Sequence, residues 1–271
     1  MTDLDARRVV IELLDEYELQ KKEKGYTNTE ICTRIIDIYY KYVKKPEFKL
    51  MVDDLKKNFM FNEARVEQNK GLEEELGLSA VYDYIADFDF EKNNFNVFTN
   101  SLLLNQKLYS RCPNPEFGGT MRDSSVMLYD LNKDVMSASE AKQYLNSYIA
   151  KTNEVFRPLE ECGIFEYIEN CVVIVTDLIK AQPFTDGNKR TFRGLFNLMM
   201  KKIKIPPLYI RIEERDAYKK ALEKAIVHDD YDEMIGFYYF KICDAIANLD
   251  VKKSYISDEQ LNCEKVNQKY Y

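Results

Sequence analysis

Ala181-Gln-Pro-Phe-Thr-Asp-Gly-Asn-Lys-Arg-Thr-Phe-Arg193 is a polar stretch between two apolar runs, residues 171–179 and residues 195–200. Pro183 cannot occupy the interior of a helix without the loss of a backbone hydrogen bond. Gly187 can adopt the left-handed backbone conformation that a sharp turn often requires. The stretch therefore predicts a helix, a sharp polar loop, and a second, buried helix that begins just after the glycine.

The loop also has the composition of a phosphate-binding site. A helix that begins near Asn188 presents backbone N–H groups at its first turn, where the helix dipole favours an anion. Lys189, Arg190 and Arg193 add positive charge at the same end. Asp186 precedes the turn, and a carboxylate there can hold the Mg²⁺ that accompanies phosphate chains. The residues thus predict a site for a phosphate chain and Mg²⁺.

The spacing of these residues resembles the signature of the Fic (Fido) family. That signature reads His-Pro-Phe, any residue, Asp or Glu, Gly-Asn, any residue, Arg, two further residues and Arg. The positions that agree with it in type and order are Pro183, Phe184, Asp186, Gly187, Asn188, Arg190 and Arg193. The first position differs, because this chain has Gln182 where the family has His. The resemblance extends over residues 95–247.

This resemblance implies a fold, a reaction and a set of residue roles. Fic domains are all-α helical bundles with one short β-hairpin flap, and most of them transfer AMP from ATP to a hydroxyl group of a target protein. By analogy, Asp186 would bind Mg²⁺, the anion cradle would be Gly187, Asn188 and Lys189, and the β- and γ-phosphates would be held by Arg190 and Arg193. Lys189 replaces the Gly of many transferases, and a Lys also occurs there in Doc-like relatives that phosphorylate.

Gln182 removes the general base that the family His supplies. A carboxamide accepts no proton near neutral pH, although it still donates and accepts hydrogen bonds. General-base catalysis typically contributes about 10²–10⁴-fold. Three interpretations stay open: a nearly inactive domain that still binds nucleotide, an enzyme with a changed reaction whose base comes from Glu67 or the substrate, and a partner-binding module without nucleotide. The acid, the cations and the Gly-Asn turn make the third the weakest.

A second resemblance lies ahead of the core, in Ala64-Arg-Val-Glu-Gln-Asn69. Many Fic proteins carry an inhibitory helix with Ser or Thr, three residues, Glu, and then Gly or Asn. Here Glu67 occupies the Glu position, while Glu63 replaces Ser or Thr and Gln68 replaces Gly or Asn. If Glu67 faces Arg193, it occupies the charge that a γ-phosphate needs. The alternative is a solvated residue on a helix surface.

A candidate flap lies between the two motifs. Pro and Gly clusters in residues 111–120 mark turns, and residues 125–129 have strand character. Gly119-Thr-Met-Arg122 resembles the Gly-x-x-Arg sequence of the family flap, which binds an extended target segment through main-chain hydrogen bonds. An ordinary surface hairpin is the alternative interpretation.

Composition restricts the partners and the location. A net charge of −7 without a basic stripe disfavours nucleic acid and anionic membranes. We find no run of roughly 18 apolar residues and no signal segment. The expectation is a cytoplasmic protein, or one delivered to a host cell without a classical signal peptide. A protein substrate docked on the flap is the expected partner, and the sequence leaves a homodimer open.

We expect three regions along the chain. Residues 1–92 form a helical N-terminal extension with a possible inhibitory helix near residues 60–70, residues 93–250 form the Fic core, and residues 251–271 form a polar tail. Hydrophobic spacing and a capping box further predict helices over residues 3–19, after Thr27 and over residues 47–85.

Overall fold

A computed structural model describes residues 2–24, 29–43, 52–67, 72–128, 133–155 and 159–248. The described chain is predominantly helical, which confirms the predicted all-α fold class. Several predicted features lie outside the described residues: the capping residue Thr27, Gln68 and Asn69 of the second motif, Tyr129 at the end of the predicted strand, and the tail 251–271.

The chain forms two compact units. The first is drawn from the described residues of Met1–Leu50 and Tyr239–Tyr271, and the second from those of Met51–Tyr238. The predicted division into residues 1–92, 93–250 and 251–271 stays a prediction.

The first unit contains helices α1 (Asp3–Lys24) and α2 (Thr29–Lys41) and the C-terminal part of α10 (Asp232–Asn248). Helix α1 continues past its predicted end at residue 19. The Lys and Glu residues that follow have high helix propensity. In addition, Lys21 Nζ lies 2.7 Å from Asp244 Oδ1, a contact between sequence-distant segments that the hydrophobic pattern does not reveal.

Helix α8 is the central helix of the second unit, and it packs against α4, α5 and α7. Every residue from Thr191 to Met200 on it is buried. It begins at Asn188, as the polar loop predicts. The helices of this unit, besides the N-terminal part of α10, are α3 (Val52–Val66), α4 (Leu72–Asp87), α5 (Val97–Tyr109), α6 (Ala138–Val155), α7 (Leu159–Ala181), α8 (Asn188–Lys202) and α9 (Arg215–His228).

The described part of the predicted helical stretch over residues 47–85 contains two helices. Helix α3 ends at Val66 and α4 begins at Leu72. Glu67, the residue that follows α3, lies in a turn. The break places Glu67 just beyond the end of α3 and Glu74 in the first turn of α4.

Two short strands follow α5. Strand β1 (Met127–Leu128) pairs antiparallel with β2 (Lys133–Asp134), with Met127 opposite Asp134 and Leu128 opposite Lys133. Ahead of β1, Met121 forms an isolated antiparallel bridge with Phe184 of the polar loop. Extended backbone therefore connects the polar loop to the segment that leads into β1.

Helices α4 and α5 lie close together at Gly77. A Cβ atom at this position would lie 2.0 Å from the carbonyl oxygen of Leu108. Because the obstacle is backbone rather than a flexible side chain, α5 as a whole would have to move. Helix α5 also carries side chains that hold the polar loop, as described below, so this contact supports the site.

We expect Gly77→Ala to lower the free energy of unfolding by about 2 kcal/mol, because overpacking typically costs about 1–3 kcal/mol and exceeds the gain in helix propensity. Gly236→Ala in α10 is the control. Nothing lies within 4 Å of a Cβ there, so the free energy of unfolding should rise by up to about 1 kcal/mol. Urea unfolding of both variants measures this. Equal effects at the two positions would contradict the close contact between α4 and α5.

Candidate functional site

The polar loop between α7 and α8 is closed by Asn188. Its Oδ1 accepts a hydrogen bond from the Phe184 N–H at 2.9 Å, and its Nδ2 donates to the Phe184 carbonyl at 2.8 Å. Gly187 has φ 75° and ψ 8°, the left-handed conformation, at the N-cap of α8. This backbone conformation explains the glycine, because most other residues adopt it only with strain.

Gln182 is buried, and its carboxamide is engaged inside the loop. Its Nε2 donates to the carbonyl of Ile179 at 2.6 Å, and its Oε1 accepts from Asn188 Nδ2 at 3.0 Å. The backbone at Gln182 has φ 49°, which is uncommon for a residue other than glycine. The side chain therefore fastens the end of α7 to the start of α8, and it offers no base near neutral pH.

Arg122 joins the segment ahead of β1 to the loop. Its Nε donates to the Gln182 carbonyl at 2.6 Å, and its backbone N–H donates to the Pro183 carbonyl at 2.9 Å. The same guanidinium also donates to the carbonyl of Ser124 at 2.7 Å and to that of Met136. One buried side chain thus fixes position 182 relative to the residues on both sides of the β1–β2 pair.

Two side chains of α5 hold the loop from the other side. Asn105 donates from Nδ2 to Thr191 Oγ1 at 3.0 Å, and its Oδ1 accepts from the Gly119 N–H at 2.9 Å. Tyr109 donates its hydroxyl to Asp186 Oδ2 at 2.6 Å. Neither residue was predicted as part of the site from the sequence. Their spacing of four places them on one face of a helix, but no local signal connects that face to a loop about eighty residues later in the sequence.

Arg190 is held between two carboxylates. Its Nη1 lies 3.1 Å from Glu74 Oε1, and its Nη2 lies 3.3 Å from Asp186 Oδ2. Burial opposes the charged form, but Asp186 and Glu74 together raise the pKa of the Arg190 guanidinium. Arg190 is therefore a fixed cation that ties the loop to the first turn of α4.

Arg193 lies one helical turn further along α8 and is paired with two glutamates. Its Nε lies 2.7 Å from Glu63 Oε2, and its Nη1 lies 2.7 Å from Glu67 Oε1. The second oxygen of Glu67 lies 2.7 Å from Lys189 Nζ. Glu67 thus bridges two cations of the α8 N-terminus, while Glu63 binds one of them from within α3.

These ion pairs keep Glu67 and Arg193 charged. Burial acts to raise the pKa of Glu67, but Arg193 and Lys189 outweigh it and lower this pKa to about 2. Burial likewise acts to lower the pKa of Arg193, but Glu63 and Glu67 raise it well above its ordinary value. A guanidinium with 3 % of its side chain exposed therefore remains a cation because two carboxylates accompany it.

One nitrogen of Arg193 has no hydrogen-bond partner among the described residues. This is Nη2, which is buried. A buried donor without an acceptor costs about 1–3 kcal/mol. A phosphate oxygen is a strong acceptor for a guanidinium. The arrangement therefore fits an anionic ligand at this end of the site.

Asp186 fits a limited role in metal binding. Its side chain is 72 % exposed, and both Tyr109 and Arg190 contact the same oxygen, Oδ2. Among the described residues, no group of three or more His, Cys, Asp and Glu side chains could hold a metal ion. Mg²⁺ needs only one or two carboxylates when phosphate oxygens and water complete its coordination. Asp186 could thus hold Mg²⁺ together with a phosphate chain.

The structure brings the predicted site residues of the described chain into one neighbourhood. Glu67 lies against Arg193, and Gly119 and Arg122 are hydrogen-bonded to the residues around the loop. The remaining members lie in the loop and in the first turns of α8: Gln182, Asp186, Gly187, Asn188, Lys189, Arg190 and Arg193. The contacts of Glu63 and Glu74 with the arginines were not predicted.

Comparison with known proteins gives a family match over the same region. Residues 99–200 match the family model described as the Fic/DOC family. The protein adenylyltransferase Fic of Nematostella vectensis is 26% identical over 169 residues, which are 60% of this chain and 36% of the relative. The protein of the same name from Aedes aegypti is 28% identical over 158 residues, 55% of this chain and 28% of that relative. The chain thus matches only about a third of the length of these curated relatives.

Two solved structures share the fold. Fic-1 from C. elegans, residues 134–508, superposes with a TM-score of 0.59 at 18% identity, covering 93% of this chain and 71% of that one. A Fic-domain-containing signaling protein from Bacteroides thetaiotaomicron superposes with a TM-score of 0.61 at 14% identity, covering 83% and 97%. In the part of this chain that the structure describes, no helix is long and apolar enough to cross a membrane.

The pairing of Glu67 should make stability depend on pH. Because its folded-state pKa of about 2 lies below its ordinary value of 4.5, its contribution is complete above about pH 5 and is lost as the pH falls toward about 2. We expect Glu67→Gln to lower the free energy of unfolding at pH 7 by on the order of 3 kcal/mol. The difference from wild type should shrink steadily between about pH 5 and pH 3.

Denaturant unfolding at a series of pH values measures this difference. Glu12→Gln is the control, because Glu12 belongs to an exposed pair with Arg8 on α1 and should change stability little at any pH. A Glu67→Gln effect that does not vary with pH would show that Glu67 is not held as a buried carboxylate.

Proposed function

Residues 99–200 of this chain are a domain of the Fic/DOC family, and on that premise we propose that the protein binds ATP and Mg²⁺ but is impaired in the transfer of AMP. The proposed reaction is the transfer of AMP from ATP to a protein hydroxyl. The observation that carries the proposal is the cluster of Lys189, Arg190 and Arg193 at the N-terminus of α8, beside a buried amide at position 182.

The N-terminus of α8 supports the binding of a phosphate chain. Gly187 provides no capping side chain, and an anion complements the N–H groups and the dipole of a helix start. In this proposal Gly187, Asn188 and Lys189 form the anion cradle, and Arg190 and Arg193 bind the outer phosphates. Mg²⁺ would be held by Asp186 and would neutralise charge on the phosphates.

The acceptor hydroxyl would be positioned by the segment that contains Gly119, Arg122 and the β1–β2 pair. We propose that this segment is the flap, which binds an extended piece of the target protein through main-chain hydrogen bonds. Arg122 supports this assignment, because it fixes the segment to the carbonyl of Gln182 at 2.6 Å. The target would thus lie beside position 182, where the family His would act as a base.

At position 182 the chain supplies no proton acceptor, so we expect transfer to be slow. The amide is committed to Ile179 and Asn188, and those hydrogen bonds preserve the shape of the loop. The base contributes about 10²–10⁴-fold in comparable reactions. Nucleotide binding and target docking would therefore persist while transfer falls close to background, and the domain would act as a nucleotide-dependent interaction module.

We also propose that Glu67 is inhibitory. It occupies Nη1 of Arg193, the charge that a γ-phosphate would need, and it lies 2.7 Å from Lys189 as well. Productive binding of a triphosphate would then require Glu67 to leave both cations. The position of Glu67 beyond the last residue of α3 supports such a displacement, because helix ends are less constrained than helix interiors.

A changed reaction is the second candidate. Lys189, where many transferases have Gly, shares the Glu67 carboxylate with Arg193. A cation at this place favours a different seating of the phosphate chain and transfer of phosphate rather than of AMP. Such an enzyme would turn over with Gln182 intact and would lose its activity in Arg190→Ala. The predicted location, cytoplasmic or host-delivered, and the homodimer stay predictions.

Restoring the base tests the proposal. We expect Gln182→His to leave ATP affinity within about threefold of wild type and to raise AMP transfer to itself or to a protein target by at least about 10²-fold. The affinity is measured by calorimetry with Mg²⁺, and the transfer by label from α-labelled ATP. Gln143→His, an exposed change of the same type on α6, should leave transfer at background.

Combining Gln182→His with Glu67→Gly should raise transfer further, because the second change removes the carboxylate that lies on Nη1 of Arg193. A Gln182→His protein that binds ATP but transfers nothing, even with Glu67→Gly, would refute the missing-base account. If neither the wild-type protein nor the Glu67→Gly variant binds ATP at millimolar concentration, the nucleotide site itself is refuted.

A further inference from the structure

Glu63 is a buried carboxylate that the family pattern does not account for. Its side chain is 1 % exposed. In the inhibitory motif of the family, this position holds Ser or Thr, which carries no charge. Its Oε2 lies 2.7 Å from Arg193 Nε, and its Oε1 accepts a hydrogen bond from the Ile210 N–H at 3.2 Å. Both oxygens are therefore engaged, one by the guanidinium and one by backbone.

Glu63 and Glu67 hold Arg193 in different ways. Glu63 lies inside α3 and is anchored to backbone as well as to Arg193. Glu67 lies beyond the end of α3, contacts only side chains of α8 in its described hydrogen bonds, and is more exposed, at 12 %. A ligand that competes for Arg193 would thus displace Glu67 and leave Glu63 in place.

We propose that Glu63 is a specificity-determining residue of the nucleotide site, because it neutralises Arg193 even when Glu67 has left and so removes the advantage of a third phosphate. The site then binds a nucleoside diphosphate about as tightly as the triphosphate. This inference rests on the proposed function, since it concerns the phosphate chain that the α8 N-terminus would hold.

The charges at the two ends of the site support this assignment. With Glu67 displaced, the charges of Arg193 and Glu63 sum to zero. A phosphate on Nη1 and Nη2 of Arg193 would lie on the same guanidinium as the Glu63 carboxylate, and like charges that close repel in a buried site. Arg190 contacts two carboxylates, those of Glu74 and Asp186. These three side chains together carry a net negative charge until a cation binds Asp186.

Calorimetric titration of ADP and ATP in the presence of Mg²⁺ tests the assignment. In Glu67→Gly we expect the two affinities to differ by less than about fivefold. Adding Glu63→Gln to that variant should tighten ATP by about tenfold or more and change ADP much less, because close charge pairs contribute at least about a factor of ten at interfaces. Glu73→Gln added to Glu67→Gly is the control for net charge, since Glu73 is exposed on α4 and should not change the ratio.

A Glu67→Gly protein that already prefers ATP by more than about fivefold would overturn the assignment and leave the proposed function standing. So would a Glu63→Gln change that leaves the ATP-to-ADP ratio unaltered. If no variant binds either nucleotide at millimolar concentration, both the assignment and the proposed function fail. Should the double variant not fold, the ratio in Glu67→Gly decides alone, because Glu63 is intact there.

Discussion

A buried guanidinium needs a counter-charge, and Arg193 is the residue at which this requirement shapes the site. Its side chain is almost fully removed from water, so an uncompensated charge there would cost several kcal/mol. Glu63 and Glu67 provide the compensation from a helix far away in the sequence. These ion pairs therefore link α3 and the residue that follows it to the N-terminal half of α8, and the stability of the fold depends on them.

The polar loop is held from three directions, and each support comes from a different element. Asn188 closes it from within, Arg122 attaches it to the segment ahead of β1, and α5 fixes it through Asn105 and Tyr109. Gln182 takes part in this framework instead of facing a substrate with a base. Its carboxamide bonds to Ile179 and Asn188 and so helps to hold the loop, and an amide accepts no proton near neutral pH.

Local sequence features were sufficient for the loop and for the helix that follows it. A turn residue and an apolar run were enough to predict the left-handed Gly187, the start of α8 at Asn188 and the burial of α8. The sequence did not predict the break between α3 and α4. Nor did it predict the contacts of Glu63, Glu74, Asn105 and Tyr109. Their contacts join residues that are about 80 to 130 positions apart, and hydrophobic periodicity carries no information about such pairs.

Arg193 is covered by two of the protein's own carboxylates in the absence of nucleotide. A crystal of the unaltered chain, soaked with millimolar ATP and Mg²⁺, tests this most directly. We expect Glu67 to remain within hydrogen-bond distance of Arg193 Nη1, with no phosphate oxygen on that nitrogen. A γ-phosphate oxygen on Nη1 in place of Glu67, or a Glu67 carboxylate that makes no contact with Arg193, would contradict this expectation.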